Sequence, residues 1–301
     1  MTSEGTIVKA VSGYYYVKGA HDKPILQCRA RGIFKKRGIQ PKVGDRVLFE
    51  PTSGGEGWIT EIHPRSVELI RPPVANVDRA VLMFSVLEPK LNMQLLDKFL
   101  VHVEQAHIEA IIVLSKTDLL QQQAEKEAMD AAVKLYESIG YPVYQISAIH
   151  DVGLDSLLAQ LSAGITVFAG QSGVGKSTLV NALIPGVNQE TAEISRRLGR
   201  GRHTTRHVEL IPLGGERTGF VVDTPGFSQL DFLEIEPAQL GRYFVEFKPL
   251  AKSCKFRACL HLQEPECEVR EALLNGEISL SRYEHYTQFV ETLIEEEKRR
   301  Y

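Results

Sequence analysis

Residues 170 to 178 read GQSGVGKST and place Gly170, Gly175, Lys176 and Ser177 at the defining positions of GxxxxGK[ST]. The chemistry of that spacing is phosphate binding. Glycines let successive backbone N–H groups turn inward around an anion, a lysine ammonium reaches the outer phosphate oxygens, and the following hydroxyl can ligate Mg2+. The expected cradle is therefore Gly170, Gln171, Ser172, Gly173, Val174, Gly175, Lys176, Ser177 and Thr178. The setting fits: ITVFA before it has a buried-strand pattern and STLVNAL after it is helical, so a helix N-terminus faces the anion. Downstream, DTPG supplies a DxxG pattern in which Asp223 holds Mg2+ through water and the Gly226 N–H meets the terminal phosphate.

The base is read from SKTD, residues Ser115, Lys116, Thr117 and Asp118. A carboxylate at a strand end accepts from both N1–H and the exocyclic amine of guanine. Adenine has no donor at N1 and would leave Asp118 unpaired. Lys116 can lay its aliphatic stem along the base plane. Alone, SKTD reads more readily as a loop after a strand. It follows the apolar run EAIIVL, however, and a second strand, YPVYQI, leads into Ser147 and Ala148, a pair whose backbone can close over the guanine oxygen. Asp118 and the lack of an LSGGQ-like segment weigh against an ATPase.

For hydrolysis, the position after DxxG is Phe227, and a phenyl ring cannot orient water as the glutamine of Ras-like enzymes does. The nearest candidate is His203 in GRHTT, with a solvated loop histidine as the alternative; Thr204 or Thr205 would complete the Mg2+ shell. The surrounding SRRLGRGRHTTRH holds five arginines and two histidines in 13 residues. That density suits RNA phosphates, with disorder in the free protein and slow intrinsic turnover, although service to the terminal phosphate is also open. Gly173 occupies the loop position where potassium-activated enzymes often carry Asn, so potassium activation is not implied.

A second constellation is CxxxxCxHxxxxxC: Cys254, Cys259, His261 and Cys267. Three thiolates and an imidazole can close a tetrahedral, structural Zn2+ site. By pattern alone, unligated thiols remain the alternative. Cys28 stands apart and reads as a small buried apolar residue.

The elements that must position these groups follow from the pattern. The 301 residues, 43% hydrophobic and 24% charged, suit a soluble protein of two or three domains. No apolar run is long enough to cross a bilayer and MTSEGTIVKA has no secretory pattern, so a cytoplasmic protein without a membrane is expected. Basic residues exceed acidic ones by 11 to 7 in residues 1–68, then fall behind by 14 to 17 in 69–230 and 10 to 14 in 231–301. Residues 1–68 show short runs (TIVKAVSGYYYV, ILQCRA, DRVLFE, GWITEI) that predict a small barrel or sandwich without a helix. Arg29, Arg31, Lys35, Lys36 and Arg37 lie on a loop suited to RNA or simply solvated, and Tyr14, Tyr15 and Tyr16 include candidates for base stacking. RPP at 71–73 reads as a linker. From there to about residue 230, apolar strands alternate with amphipathic helices and predict a parallel sheet covered on both faces, continued by HVELIPL and GFVVDTPG. Beyond Pro237 the chain is helical apart from the cysteines.

The order SKTD, SA, GxxxxGKS, Thr-bearing loop, DTPG is out of the usual sequence, in which the last three come first, so the chain reads as circularly permuted. With VGDRV at 43–47, ANVD at 75–78, GRHTT at 201–205 and the cysteine cluster, it closely resembles the ribosome small-subunit-dependent GTPase family, RsgA (also YjeQ or YloQ), along essentially its whole length. The resemblance implies an N-terminal OB-fold β-barrel (1–68), a central circularly permuted P-loop GTPase domain (69–230) and a C-terminal zinc-binding helical domain (231–301). It also implies GTP/GDP, Mg2+ and one structural Zn2+. The implied partners are the 30S ribosomal subunit and its 16S rRNA, in late maturation, with hydrolysis releasing a monomeric protein. It points to His203 as the catalytic residue. Ser115 stands where most GTPases have Asn, so weaker nucleotide binding is expected. The competing reading is an RNA-binding scaffold in which nucleotide only stabilises the fold.

Overall fold

The computed structural model describes residues 2–19, 24–52, 55–70, 72–184, 208–223 and 235–300. The front is a closed five-stranded barrel. Strands β1 (Ser3–Val11), β2 (Tyr14–Gly19), β3 (Leu26–Ala30), β4 (Arg46–Pro51) and β5 (Glu56–Ile62) pair in the ring β1-β2-β3-β5-β4-β1, the connectivity of an OB-fold. Their inward residues Ile7, Val17, Cys28, Val47, Phe49 and Ile59 form one core. Burial there raises the Cys28 thiol to about 11. The expectation of a helix-free front is corrected by α1 (Gly32–Lys36). Gly32 and Ile33 are poor helix formers, but the turn buries Phe34 in the barrel core, and that packing overrides propensity.

The residues that follow the expected linker at 71–73 pack against the barrel. Val74 and Ala75 are fully buried. The Leu69 N–H donates to Val74 O at 2.8 Å and the Ala75 N–H to Val43 O at 2.9 Å. Asn76 adopts φ +55° and its side-chain amide donates to Gly44 O at 3.0 Å. A Cβ on Gly44 would lie 2.0 Å from Ala75 O, so only glycine admits this close approach.

The central sheet consists of β6 (Arg79–Ser85), β7 (Glu109–Ser115), β8 (Val143–Ile146), β9 (Ile165–Ala169), β10 (Glu209–Pro212) and β11 (Phe220–Asp223), in the order β10-β11-β9-β6-β7-β8. All neighbours are parallel except β10, which runs antiparallel to β11. HVELIPL thus joins the sheet as one arm of a hairpin, because the residues between β10 and β11 are too few for a crossover. Alternate strand residues feed two cores. Leu82, Phe84 and Ile112 pack under α2 (Met93–Gln105) and α3 (Gln123–Ser138). Val81, Met83 and Val113 pack under α4 (Leu154–Gln160) and α5 (Lys176–Leu183). β1 also pairs with β10, so barrel and central sheet merge into 11 hydrogen-bonded strands.

The C-terminal helices, ending in Leu280–Arg300, enclose an aromatic core of Phe244, Phe247, Tyr286 and Phe289. No helix among the described residues is long and apolar enough to cross a membrane.

Candidate functional site

The register aligns the ends of the parallel strands. Ser115 is level with Ser85 and Ile146, Ala169 is level with Leu82, and β11 pairs with β9 through Val221 and Thr166. The loops that follow these strands, at Gly170, Lys116 and Ser147, and the end of β11 at Asp223 consequently open on one edge of the sheet. This is where open α/β sheets bind ligands.

The loop after β9 turns sharply at Gly170, where φ is +142° and a Cβ would fall 2.1 Å from Met83 O. Val174 is fully buried and anchors the loop in the core, while Gly175 leads into α5, whose first amides have no intrahelical acceptor. Lys176 Nζ donates to Gly170 O at 2.8 Å and Gln171 O at 2.7 Å, so the ammonium lies inside the curve of its own loop. Burial lowers its pKa below the ordinary lysine value. A glycine-turned loop, a helix N-terminus and a captive ammonium fit a polyphosphate.

Ser115 is 2% exposed, and its hydroxyl donates to Val174 O at 2.7 Å, with Phe84 O at 3.2 Å. The shorter side chain thus still ties this strand end to the phosphate loop. Lys116 takes φ +59°, its ammonium donates to Glu88 O, and a 3-10 turn at Thr117–Leu119 carries Asp118. Asp118 Oδ1 accepts from Ser147 Oγ at 2.6 Å. Ser147 is itself held by backbone hydrogen bonds with Val152 at 3.0 and 3.2 Å. The SKTD carboxylate is therefore fixed by the Ser147–Ala148 segment, and the SKTD strand by the phosphate loop.

Asp223 is the last residue of β11 and is the backbone partner of Glu209. His203, Thr204, Thr205, Gly226 and Phe227 lie outside the described residues.

In the C-terminal region the ligand atoms of Cys254, Cys259, His261 and Cys267 all lie within 4.8 Å of one another. His261 Nδ1 is 3.3 Å from Cys267 Sγ and 3.7 Å from Cys254 Sγ, and the latter two sulfurs are 4.0 Å apart. A tetrahedral zinc at ordinary bond lengths would require separations of about 3.5–3.8 Å. Burial raises the Cys259 thiol to about 12, raises Cys267 and lowers His261. Such a desolvated set ionises only beside a cation, and it fits a divalent one. Tyr283 and Tyr286 hydroxyls donate to His261 O at 2.6 Å and Leu260 O at 2.7 Å.

Sequence reasoning missed two participants, Glu88 and Glu264. Glu88 acts through its backbone carbonyl, as Val174 of the expected cradle does toward Ser115, and such contacts leave no trace in residue type. Glu264, whose carboxylate accepts from the Leu260, Leu262 and Gln263 amides at 2.7 to 3.1 Å, was signalled by an acid lying among the cysteine ligands.

The family model described as RsgA GTPase matches residues 62–233, and the one described as RsgA N-terminal domain matches residues 4–59. A protein of Halalkalibacterium halodurans named "Small ribosomal subunit biogenesis GTPase RsgA" is 52% identical over 298 residues, covering 99% of each chain. The fold superposes on the structure titled "The crystal structure of YloQ, a circularly permuted GTPase" with a TM-score of 0.86 at 41% identity, covering 98% of this chain and 96% of that one. It superposes equally, at a TM-score of 0.86 and 34% identity, on YjeQ from Thermotoga maritima, over 98% of this chain and 99% of that one. With the motifs in permuted order along the chain yet gathered at one edge of the sheet, the protein belongs to the RsgA family of circularly permuted GTPases.

Proposed function

We propose that this chain hydrolyses GTP to GDP and phosphate in the service of small ribosomal subunit biogenesis, the role named in its relatives. The observation that carries the reading is the pair of hydrogen bonds, Ser115 to Val174 and Ser147 to Asp118, that joins base-reading and phosphate-binding segments at one strand-end edge. Asp118 accepts from guanine, Lys116 packs along it, and the Ala148 backbone closes over its oxygen. The amides of residues 170–178 and Lys176 hold the phosphates. Ser177, Asp223 and either Thr204 or Thr205 are the residues to hold Mg2+. That ion, when bound, neutralises charge developing on the phosphoryl oxygens. The Gly226 N–H meets the terminal phosphate and His203 orients the attacking water. Cys254, Cys259, His261 and Cys267 hold one structural Zn2+, an assignment supported by their spacing and burial.

The units are 1–68, 69–230 and 231–301. The barrel, with the basic segment from Arg29 in β3 through α1 to Arg37, contacts 16S rRNA in the 30S subunit. The nucleotide sets the binding state: GTP favours the subunit-bound form, and hydrolysis frees a cytoplasmic monomer. Co-sedimentation with 30S, 50S and 70S particles tests this. Preference for 30S with a non-hydrolysable GTP analogue over GDP is expected, with Lys176→Ala abolishing hydrolysis. Equal binding in both nucleotides, with Lys176→Ala fully functional, would favour a scaffold.

A further inference from the structure

A single rung of the sheet runs unbroken from the barrel to the strand that ends at Asp223. Lys9 of β1 is the register partner of Glu209 in β10, and Glu209 is in turn the register partner of Asp223 in β11. Lys9 Nζ donates to Glu209 Oε2 at 2.6 Å. β1 is also a stave of the barrel, paired with β2 on one side and β4 on the other. Below the rung, Val8, Leu210 and Val222 are buried in one cluster. Away from it the two bodies part around a cleft of about 1160 Å³, lined by Thr6, Lys18, Arg46 and His63 from the barrel and by Gly214 and Arg217 from the β10–β11 turn. Among the described residues, Lys9 with Glu209 is the one register pair between barrel and central sheet. Barrel and central domain also meet at the Val43–Val74 bridge and the Asn76–Gly44 hydrogen bond, so this rung is their link through the central sheet itself, beside the open gap.

Paired strands move together, since shifting one against its neighbour breaks backbone hydrogen bonds and exchanges faces. The Lys9–Glu209 ion pair leaves 36% and 41% of its two side chains exposed, so it adds little to stability and its loss leaves the chain folded. Its role is geometric. We infer that Lys9 and Glu209 are positioning residues that transmit displacement of the RNA-binding barrel to Asp223. Engagement of the barrel by ribosomal RNA thereby adjusts the position of this strand end relative to the nucleotide. The inference rests on the functional reading above, which assigns Asp223 to the nucleotide and the barrel to rRNA.

The test is single-turnover GTP hydrolysis by the full-length protein with and without 30S subunits, for wild type, Lys9→Met, Glu209→Gln and the exchange Lys9→Glu with Glu209→Lys, with subunit binding measured in parallel. The single variants are expected to keep the subunit-free rate within about twofold and to bind subunits normally. They should lose roughly fivefold or more of the acceleration, and the exchange should recover most of it. Full acceleration in both single variants, a loss that merely tracks weaker subunit binding, or an exchange no better than the singles would overturn the inference. A wild-type rate that subunits leave unchanged would overturn the functional reading and the coupling together; wild-type acceleration retained by the variants overturns the coupling alone.

Discussion

The Ser115 hydroxyl lies 2.7 Å from the carbonyl oxygen of Val174, a residue 59 positions away in the phosphate loop. Both ends are buried, so removing the donor leaves an acceptor that water cannot easily reach. Such an orphan costs about 1–3 kcal/mol. Ser115→Ala is accordingly expected to weaken GDP binding on the order of tenfold, through a looser loop rather than a lost ligand contact. Titration of a fluorescent GDP analogue measures this, and unchanged affinity would show that the loop holds its shape unaided.

Asp118 is presented by Ser147 at 2.6 Å, and its acceptor character selects the base. Xanthine carries a carbonyl where guanine carries the exocyclic amine. Asp118→Asn, which replaces an acceptor with a donor, should lower affinity for GDP by about 10²-fold or more and favour xanthosine diphosphate in competition. Ser147→Ala should cost much less, since the carboxylate remains and loses only an aligning hydrogen bond.

The legible parts of this site were those carried by side-chain type at short range. GQSGVGKST is legible by itself because a strand end and a few following residues build the loop, whereas SKTD and the cysteine spacing gain their meaning only beside the other motifs. Even the permutation was readable, since motif order needs no structure. The errors arose where distant packing decided. GIFKK has weak helix propensity, yet Phe34 seals the barrel and draws it into α1. Beyond RPP, Asn76 and Gly44 close the following residues against the barrel by a 3.0 Å hydrogen bond that no local pattern announces. The contact of Lys116 with Glu88 runs through a carbonyl, and no pattern of residue types encodes it.

Lys176 gives nucleotide binding a pH dependence of definite sign. In the free protein, burial lowers its pKa. Phosphate oxygens favour the charged form, so the bound value is higher and binding takes up a proton in the window between the two. Affinity for GDP should fall as pH rises through the lowered free-protein value. Lys176→Arg, charged throughout, should remove that dependence. Isothermal titration across the alkaline range distinguishes the two; parallel profiles for both proteins would rule out Lys176 as the source.

The clustered thiols and His261 predict a folding role for metal. A single zinc per chain is expected on metal analysis, lost in Cys267→Ser. Chelation should lower the unfolding temperature and selectively loosen 254–267, while leaving GDP affinity nearly intact because those residues do not contribute to the strand-end edge. Protease cleavage within the loop, before and after chelation, reads the local effect.

The C-terminal region is locked to the central domain by a buried charge network. Arg282 and Asp97 are 1% and 0% exposed as residues, and their side chains meet at 2.6 Å across 185 positions. Arg282 also donates to both Glu246 oxygens at 2.8 and 2.9 Å, while Tyr136 and His285 engage Asp97 at 2.8 and 2.6 Å. Removing one member strands the others without solvent. Asp97→Ala should therefore cost about 3–5 kcal/mol in denaturant unfolding. Arg282→Met combined with Asp97→Ala should cost less than the sum of the single changes, because each removes the charge the other leaves unpaired. Tyr136→Phe, which deletes one neutral donor, should cost only about 1 kcal/mol. Strictly additive losses would mean that Arg282 and Asp97 act independently. In that case the docking of the C-terminal helices would rest on the apolar contacts of Val101 with Phe244 and their neighbours rather than on this network.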